Sequence, residues 1–301
     1  MFKHILVPLD GSNMAEAALS AASFLSEKFD AVVTLLHVIE KNAPREVHGQ
    51  HHLNNAGEAA TYLHDTARRA FPARVRVNIH VHTAEVENVA ASIVEHTSEL
   101  DFDSIIMCSH GRGRALHLFM GSIAEKIVSI GTSPVLLIRL NKDGDIMPFS
   151  CNALLLPLDG NPDHEQALPA AKELAEVCNA VIRLAVVIPS IGTLSGQEMT
   201  TSRFLPGTMS KMLEISVENA KEYLQVQLKT LQDEGVDADA RMLRGDPAAT
   251  IDNVAKELKV DLIVMATHGK SGMGAFWAGS VGHKVSSRSK IPILLIPVLK
   301  R

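Results

Sequence analysis

An internal repeat constrains this chain more than any other feature of its sequence. The segment ILVPLDGS at residues 5–12 matches LLLPLDGN at residues 154–161, with an offset of 149 positions. The segment PVLLI at residues 134–138 matches PILLI at residues 292–296, with an offset of 158. Similarity over this distance indicates two copies of one structural unit, which decides how the rest of the chain is interpreted.

The repeat predicts two domains within the 301 residues. We expect the first at residues 1–140 and the second at residues 151–301. A linker is expected at residues 141–150, where Gly, Pro and charged residues are typical of a connecting segment. The two offsets differ by nine residues, and we place most of this gain in residues 189–208.

Each repeat alternates short apolar runs with helical patterns, which is typical of βαβ units. Hydrophobic residues make up 46% of the chain but aromatic residues only 4%, so the core is aliphatic, as buried parallel strands require. With right-handed crossovers, the pattern predicts an α/β fold of two tandem doubly wound domains with helices on both faces of each sheet. Polar loops are expected at residues 42–55 and 190–207. Strands are expected at residues 3–10, 31–39, 74–82, 103–109 and 134–139, and again at 151–158, 180–188, 236–243, 261–267 and 291–298.

A glycine-containing loop follows the fourth strand of each repeat. A first glycine is separated by nine residues from a Gly-Ser pair, at which a helix is expected to begin. Glycine allows the backbone to approach a phosphate, and a helix N-terminus supplies N–H donors and partial positive charge. Two such loops predict a nucleotide-binding protein. The residues are Gly111, Gly121 and Ser122 in the first repeat and Gly269, Gly279 and Ser280 in the second.

Asp10 and Asp159 directly follow the first strands of their repeats. In an open parallel sheet, ligands bind beyond the carboxyl ends of the strands, where the strand order reverses. If the first strand lies beside the fourth, each carboxylate faces the glycine loop and can accept hydrogen bonds from ribose or adenine. The alternative is that each Asp only shapes an Asp-Gly turn. The pairing of each Asp with a glycine loop favours the ligand role.

Polar residues at the start of each glycine loop are further candidates for the site. Arg112 and Lys270 follow the first loop glycine and could hold a phosphate, although a solvated loop charge is an equal alternative. His110 and His268 precede that glycine. They could bind the ligand or orient the loop, and a structural role is an equal alternative.

Several other kinds of site are excluded by the sequence. Val264 stands where a P-loop requires glycine, and neither loop completes the GxGxxG fingerprint. A histidine cluster could bind zinc, but no cysteine or carboxylate set completes it and the second repeat has no counterpart, so we expect no metal site. No nucleophile is paired with a base, so no catalytic residue is predicted. The histidine cluster considered for zinc comprises His48, His51 and His52, with His80 and His82 on a later strand.

Charge and cysteine content exclude further classes. The net charge of −5 gives no basic surface for nucleic acid. The sequence contains no apolar run of 18 residues, so no membrane span is predicted. The N-terminus has the pattern of a strand and a turn, and not that of a signal peptide. Cys108, Cys151 and Cys178 form no CxxC pair, and an odd, sparse count favours a reducing compartment. We therefore expect a cytoplasmic protein.

Together, the Asp-Gly turns, the two Gly-Ser loops and the closing apolar strands resemble the universal stress protein family in its tandem form. The resemblance covers nearly the whole chain except the linker and residues 189–208. It implies a five-stranded parallel sheet of order 3-2-1-4-5 in each domain. It also implies that some members bind ATP or AMP, whereas others lack the loop and bind none. Since both loops are present here, we expect ATP or AMP as the cofactor, with or without Mg²⁺.

The resemblance also assigns residues at each site. Asp10 and Asp159 would contact the nucleoside, the backbone of Val38 and Val187 would meet adenine, and the loop glycines and serines would hold phosphate. The helix starts would add Ile123 and Val281.

The chain departs from the family's pattern at one position in each repeat. Where the family's ATP-binding pattern has a further glycine, this chain has Cys108 or Ala266. The larger Cys108 could crowd a ligand, so the second site is the more complete. The resemblance further implies dimers joined through edge strands. In a tandem chain, residues 135–139 and 293–298 could pair internally as a pseudo-dimer, which leaves a homodimer of whole chains as a further alternative.

Three functions follow from these features. The first is a cytoplasmic stress-response or regulatory protein that binds adenine nucleotide and acts on an unknown protein partner, with at most slow, incidental ATP hydrolysis. The second is an interaction or scaffold protein of the same fold that binds no nucleotide. The third, an enzyme of nucleotide chemistry such as adenylyl transfer, needs a general base or a set of metal-binding carboxylates, and the sequence supplies one obvious Asp per site.

Overall fold

One continuous mixed sheet of ten strands runs through both repeats. The computed structural model describes residues 1–43, 46–47, 49–109, 120–140, 147–194, 196–268 and 280–299. A short separate hairpin, β3 and β4, lies at Glu46–Val47 and Gln50–His51. The strands of the large sheet are β1 (His4–Pro8), β2 (Val32–Glu40), β5 (Arg76–Val86), β6 (Ser104–Cys108), β7 (Val135–Ile138), β8 (Ala153–Leu158), β9 (Val181–Ile188), β10 (Ala238–Arg244), β11 (Leu262–His268) and β12 (Ile293–Val298).

The strand order is β5-β2-β1-β6-β7-β12-β11-β8-β9-β10. Within each repeat the strands are parallel, and the chain moves outward in one direction from β1 to β2 and β5 and in the other from β6 to β7. The second repeat follows the same course from β8. The predicted α/β class is confirmed. The order reverses between β1 and β6, and again between β8 and β11, so each repeat has a crevice at the carboxyl ends of these strands.

The two repeats join through β7 and β12, which pair antiparallel in the middle of the sheet. Leu137 lies opposite Ile293, and Val135 lies opposite Leu295. All four side chains are buried. The predicted internal pairing of the closing strands is confirmed. It gives hydrogen-bond partners to the backbone groups of two strand edges that would otherwise be unpaired.

Helices cover both faces of the sheet. Alternate residues of β1 point to opposite faces: Ile5 and Val7 pack in one apolar cluster, and Leu6 packs in the other. The first cluster includes side chains of α1, α2, α5 and α7, and the second includes side chains of α3, α4, α8 and α9. The helices are α1 (Ala18–Phe29), α2 (Ala56–Ala70), α3 (Val89–Glu99), α4 (Ser122–Ile130), α5 (Ala167–Cys178), α6 (Gly196–Phe204), α7 (Pro206–Asp233), α8 (Pro247–Glu257) and α9 (Val281–Arg288).

The loop predicted at residues 190–207 is wrong over most of its length. A 3₁₀ turn at Ile191–Thr193 is followed by α6 and then by α7, which begins at Pro206. Proline suits this first helical position because its missing N–H has no helical partner there. Leu194, Met209 and Leu213 form a small buried cluster that holds the segment in place. The Gly, Ser and Thr content of this segment predicts a loop, because residue composition does not show how its apolar side chains pack.

The hairpin of β3 and β4 lies within the segment predicted as a polar loop at residues 42–55. The predicted domain boundaries stay a prediction, and residues 141–146 of the expected linker lie outside the described part of the chain. In the described ranges, no helix combines the length and the apolar character needed to cross a membrane.

Candidate functional site

The crevice of the first repeat contains a cavity of about 130 Å³ at the carboxyl ends of β1, β2 and β6. Asp10 lies at the end of β1, Val38 lies near the end of β2, and Ile123 lies in the first turn of α4. All three predicted residues line this cavity, which we call the first cavity. Glu40 and His52 also line it, although the sequence interpretation did not include them in the site.

The crevice of the second repeat contains a larger cavity of about 410 Å³, which we call the second cavity. Asp159 follows β8, Val187 lies near the end of β9, and Ser280 and Val281 lie at the start of α9. All four predicted residues line the second cavity. The structure therefore brings together predicted residues that are up to 122 positions apart in sequence.

The helices at these cavities begin slightly later than the sequence predicts. Gly121 precedes α4, which starts at Ser122, and no side chain caps that helix. In the second repeat, Ser280 is the N-cap of α9 and its Oγ accepts a hydrogen bond from the His283 N–H at 3.1 Å. Both helix starts present backbone N–H groups that have no partner within the helix. Gly121 and Ser122 are not among the residues that line the first cavity.

Asp10 also shapes a turn. Its Oδ1 accepts hydrogen bonds from the Ser12 backbone N–H at 2.9 Å and from the Ser12 hydroxyl at 2.6 Å. Gly11 between them has φ of +89°, a left-handed conformation that glycine adopts without steric cost. The alternative of a turn-forming Asp is therefore part of the structure, and it does not exclude a ligand role, because Asp10 still borders the cavity.

Asp159 forms a pair with a histidine, and within the described part of the first repeat Asp10 has no ion pair of this kind. Its Oδ1 accepts from the Asn161 N–H at 3.0 Å, and His164 Nδ1 donates to its Oδ2 at 2.7 Å. Burial disfavours the charged form of Asp159, but the hydrogen bonds from His164 and Asn161 outweigh it and lower the pKa of this carboxyl. The same hydrogen bond raises the pKa of His164. At the position equivalent to His164, the first repeat has Ala15.

The sequence interpretation missed His164. The available signal was its position five residues after Asp159, on the turn that leads into α5. Residues shared by the two repeats do not indicate His164, because the first repeat has Ala15 at the equivalent position. His164 lines the second cavity, so an imidazole stands beside the carboxylate where a ligand would bind.

The first crevice is covered by the segment at residues 50–53. Gln50 Oε1 accepts a hydrogen bond from the Asn13 N–H at 2.7 Å, and the Leu53 carbonyl oxygen lies 2.9 Å from Nε2 of the buried His37. A Cβ placed on Gly11 would lie only 2.9 Å from Leu53 Cγ. In the second repeat, a Cβ on Gly160 would have no neighbour within 4 Å among the residues that the structure describes. The second crevice is therefore the more open of the two at this turn.

Cys108 lines the first cavity, and Ala266 lines the second at the equivalent place. Cys108 pairs with Ile138 in β7, as Ala266 pairs with Ile296 in β12. Burial raises the pKa of the Cys108 thiol to about 12, against an opposing effect of Arg139, so the thiol stays neutral at physiological pH. The larger side chain therefore borders the smaller cavity.

The glycine loops fall largely outside the described part of the chain. The site residues that lie there are His110, Gly111, Arg112, Gly269, Lys270 and Gly279. For His268 the structure describes only the backbone, which ends β11. The roles assigned to all seven residues stay predictions.

A comparison with protein-family models identifies the fold. The model described as "Universal stress protein family" matches twice, at residues 1–139 and at residues 152–297. The chain belongs to the universal stress protein family. The two matches also confirm its tandem form. Together they cover almost the whole chain and place one crevice in each match.

Known universal stress proteins match one repeat or the whole chain. Universal stress protein YxiE of Bacillus subtilis is 32% identical over 152 residues, which cover 48% of this chain and 98% of YxiE. The universal stress protein E homolog of Haemophilus influenzae is 22% identical over 326 aligned positions and covers 100% of this chain and 99% of the homolog. A crystal structure of a universal stress protein from Archaeoglobus fulgidus superposes with a TM-score of 0.69 at 16% identity, covering 98% of this chain and 96% of that one. The last match shows the shared tandem fold.

Of the histidines considered as a metal site, the four that the structure describes lie in separate surroundings in this universal stress protein. His51 Nε2 lies 3.4 Å from Glu58 Oε2, and His52 packs edge-on against His37. His48 lies outside the described residues. His80 and His82 instead lie on β5, where α3 packs beside them.

Proposed function

We propose that this universal stress protein binds an adenine nucleotide, ATP or AMP, in the second cavity, and more weakly or not at all in the first. The observation that carries the proposal is that Asp159, Val187, Ser280 and Val281 line one cavity of about 410 Å³ at the point where the strand order reverses. This volume lies within the usual range for small-molecule sites of about 300–1,000 Å³.

Each part of the second cavity offers a different interaction. The Asp159 carboxylate accepts hydrogen bonds from hydroxyl groups, as a ribose supplies. The N-terminus of α9 supplies backbone N–H donors and partial positive charge for a phosphate. The apolar side chains of Ile251 and Met265 line the same cavity and suit the faces of a purine ring.

A regulatory role is favoured over catalysis. Among the described residues that line the second cavity, Asp159 is the one carboxylate, and His164 is already its hydrogen-bond partner. This group is too small to hold a metal ion and a general base separately. We propose that any Mg²⁺ arrives on the nucleotide phosphates and that binding changes the partner choice of the protein in stress.

A cytoplasmic location belongs to this proposal. Support comes from Cys108, Cys151 and Cys178, which are all free. Free thiols are typical of proteins that work in a reducing compartment.

The first experiment is to denature freshly purified protein and identify released small molecules by mass spectrometry. Recovery of ATP, ADP or AMP supports the proposal, and the amount per chain gives the number of occupied sites. Calorimetric titration of nucleotide-free protein with ATP and with AMP then measures affinity. No released nucleotide and no heat of binding would refute nucleotide binding.

A reciprocal exchange tests the preference for the second cavity. Ala266→Cys introduces the larger side chain of the first repeat, and we expect it to weaken binding by about tenfold or more, since about 1.4 kcal/mol of steric cost is a factor of ten. Cys108→Ala removes that side chain from the first cavity and should leave the second site unchanged. Equal affinity in the wild type and Ala266→Cys would contradict the assignment of this site.

One observation favours the alternative of an interaction protein that binds no nucleotide. Both oxygens of Asp159 already have partners within the chain, so this carboxylate is satisfied without a ligand. In that case Asp159→Asn would change stability, and the protein would carry no nucleotide when purified.

A further inference from the structure

Three imidazoles converge at one side of the first repeat, away from both cavities. His80 and His82 lie two residues apart on β5 and so point to the same face of the sheet. His96 lies on α3, and its ring centroid is 4.9 Å from the centroids of both other rings. One ring nitrogen of each residue lies within 4.8 Å of the others. None of the three lines the first or the second cavity.

The tautomer of His96 is fixed by the helix that carries it. His96 Nδ1 lies 2.7 Å from the carbonyl oxygen of Ser92, so Nδ1 carries the proton and donates. Nε2 is then the unprotonated nitrogen, and it points toward His80. Histidines that bind metal through one ring nitrogen typically donate a hydrogen bond from the other ring nitrogen to a backbone carbonyl or a carboxylate. The His96 side chain is buried, with 6% exposure, so its orientation is held by packing.

The spacing of the His80 and His96 nitrogens suits a metal ion, and the His82 nitrogen lies within 4.8 Å of both. Nε2 of His96 and Nε2 of His80 are 3.1 Å apart. Two nitrogens bound at about 2.0–2.1 Å to one tetrahedral zinc ion lie about 3.3 Å apart. His82 completes a set of three imidazoles, and three histidines with one open position form a known class of zinc site.

The second repeat shows that the fold does not need histidine at these positions. His80 and His82 pair with Leu36 and Val38, and the equivalent residues of β9 pair with Arg241 and Leu243. His96 is eight residues after the N-cap Asn88, and the residue eight after the N-cap Asp246 is Val254. Arg241 forms an ion pair with Glu257, and Val254 is buried. The three histidines are therefore a property of the first repeat and not of the shared packing.

We propose that His80, His82 and His96 form a binding site for a divalent transition-metal ion, with Zn²⁺ as the expected ion and a fourth position left for water or another ligand. Imidazole nitrogens favour ions of this class over Mg²⁺ and Ca²⁺. β5 is the outermost strand of the sheet, so an ion can reach the site from the protein surface. A bound ion would add a covalent-strength link between the edge strand and α3, in place of the His80–His96 hydrogen bond.

The competing explanation is a plain hydrogen bond between two neutral imidazoles. In that arrangement the His80 Nε2–H donates to the His96 Nε2, and His82 packs beside them. The two explanations differ in an observable way, because only a metal site gives saturable binding of Co²⁺ with the absorption spectrum of a tetrahedral complex.

The experiment uses the full chain without a histidine tag, freed of metal by a chelator. Titration with Zn²⁺ is followed by calorimetry, and Co²⁺ is used as the spectroscopic probe. We expect one tight Zn²⁺ per chain, visible-region Co²⁺ bands of tetrahedral coordination, and a rise in the thermal midpoint on addition of Zn²⁺.

The decisive variant is His80→Gln with His82→Gln, because both residues are partly exposed and glutamine preserves polarity and size. We expect it to lower Zn²⁺ affinity at least about 100-fold, since loss of a group that only hydrogen-bonds to a metal ligand already costs about 10–100-fold. The matched control is His64→Gln, which removes an exposed histidine from α2 and should bind as the wild type does. Circular dichroism establishes that both variants are folded.

Two results would overturn the proposal. One is a wild-type protein that binds Zn²⁺ no more tightly than the double variant. The other is a Co²⁺ spectrum that is octahedral or that persists in the double variant, which would place the ion elsewhere. Neither result bears on nucleotide binding, which is measured separately.

Discussion

At the scale of single residues, the two repeats use the same turn for different ends. The Asp-Gly turn after the first strand is present in both, with Gly11 at φ +89° and Gly160 at φ +78°. In the first repeat Leu53 covers the turn, and in the second His164 pairs with the carboxylate. A shared sequence motif therefore has two surroundings, and its chemistry depends on residues outside the motif.

The Asp159–His164 pair predicts a pH window for stability. The folded-state pKa of Asp159 is lowered, so its contribution is present above the ordinary value of 3.8 and is lost as pH falls through the folded pKa. The folded-state pKa of His164 is raised, so its contribution is complete below the ordinary value of 6.5 and is lost as pH rises through the folded pKa. The pair is thus strongest between these limits.

His164→Ala should remove the loss of stability above pH 6.5 that this pair causes. Because the Asp159 side chain is 56% exposed, the effect is expected to stay below about 1 kcal/mol. Urea unfolding of wild type and variant at several pH values measures it, and added salt should shrink the difference. Parallel stability curves from pH 5 to 9 would show that the pair contributes nothing.

Glycine substitutions measure how closely the first turn is covered. Gly160→Ala should cost about 1–2 kcal/mol, the penalty of a left-handed backbone at a residue with a Cβ. Gly11→Ala has the same penalty and also forces the buried Leu53 to move, so it should cost more. Denaturant midpoints of the two variants test this. Equal costs would mean that residues 50–53 do not cover the first crevice tightly in solution.

At the scale of elements, the starts of α4 and α9 differ although both follow a Gly-Ser pair in sequence. Ser280 caps α9 through its hydroxyl, whereas Ser122 is the first residue of α4 and makes no cap bond. The same dipeptide is thus shifted by one position relative to the helix. Ser280 lines the second cavity, whereas Ser122 is exposed and does not line the first cavity.

Ser280→Ala should destabilise the protein by about 1 kcal/mol through the lost N-cap. If the second cavity binds nucleotide phosphate at this helix start, the same variant should also lower nucleotide affinity. Ser122→Ala is the matched control and should change stability by no more than about 0.5 kcal/mol. Thermal unfolding and calorimetric titration measure the two effects, and equal destabilisation by both variants would contradict the capping role.

At the scale of the whole molecule, the antiparallel pairing of β7 with β12 makes one sheet from two repeats. In the described part of the chain the sheet therefore has two outer strands, β5 and β10, where two separate sheets would have four. The exposed backbone groups of an edge strand are a template for pairing with another chain. The tandem arrangement removes two such edges within a single polypeptide.

Separate expression of residues 1–140 and 151–301 should re-expose the edges of β7 and β12. We expect the two fragments to associate with each other, or each with itself, because the pairing buries Leu137 and Ile293. Native mass spectrometry of the mixture identifies the species by mass. Fragments that stay monomeric when mixed would mean that the β7–β12 pairing needs the covalent linker.

Sequence patterns alone predicted the repeat, the α/β class, the approximate strands and the candidate residues Asp10 and Asp159. Val38 and Val187 became candidates only through the family resemblance. The strands and the turns follow from apolar alternation and turn glycines, which are patterns within a few residues. The repeat follows from comparing short segments along the chain. The sequence predicts strand ends only to within a few residues, because the residue at which a strand ends depends on contacts with neighbouring elements. The internal pairing of the closing strands was also expected from the family resemblance.

Tertiary structure decided what those residues meet. Leu53 over Gly11 and the helical packing around Leu194 are contacts that no local pattern encodes. The His164–Asp159 pair lies within one segment, but only the fold of its turn brings the two side chains together. The sequence pattern singles out His80 and His82 but not His96. The three rings meet only because α3 packs beside β5 after the turn that joins them. Side-chain convergence depends on how elements pack, and a sequence pattern specifies the elements far more strongly than it specifies their contacts.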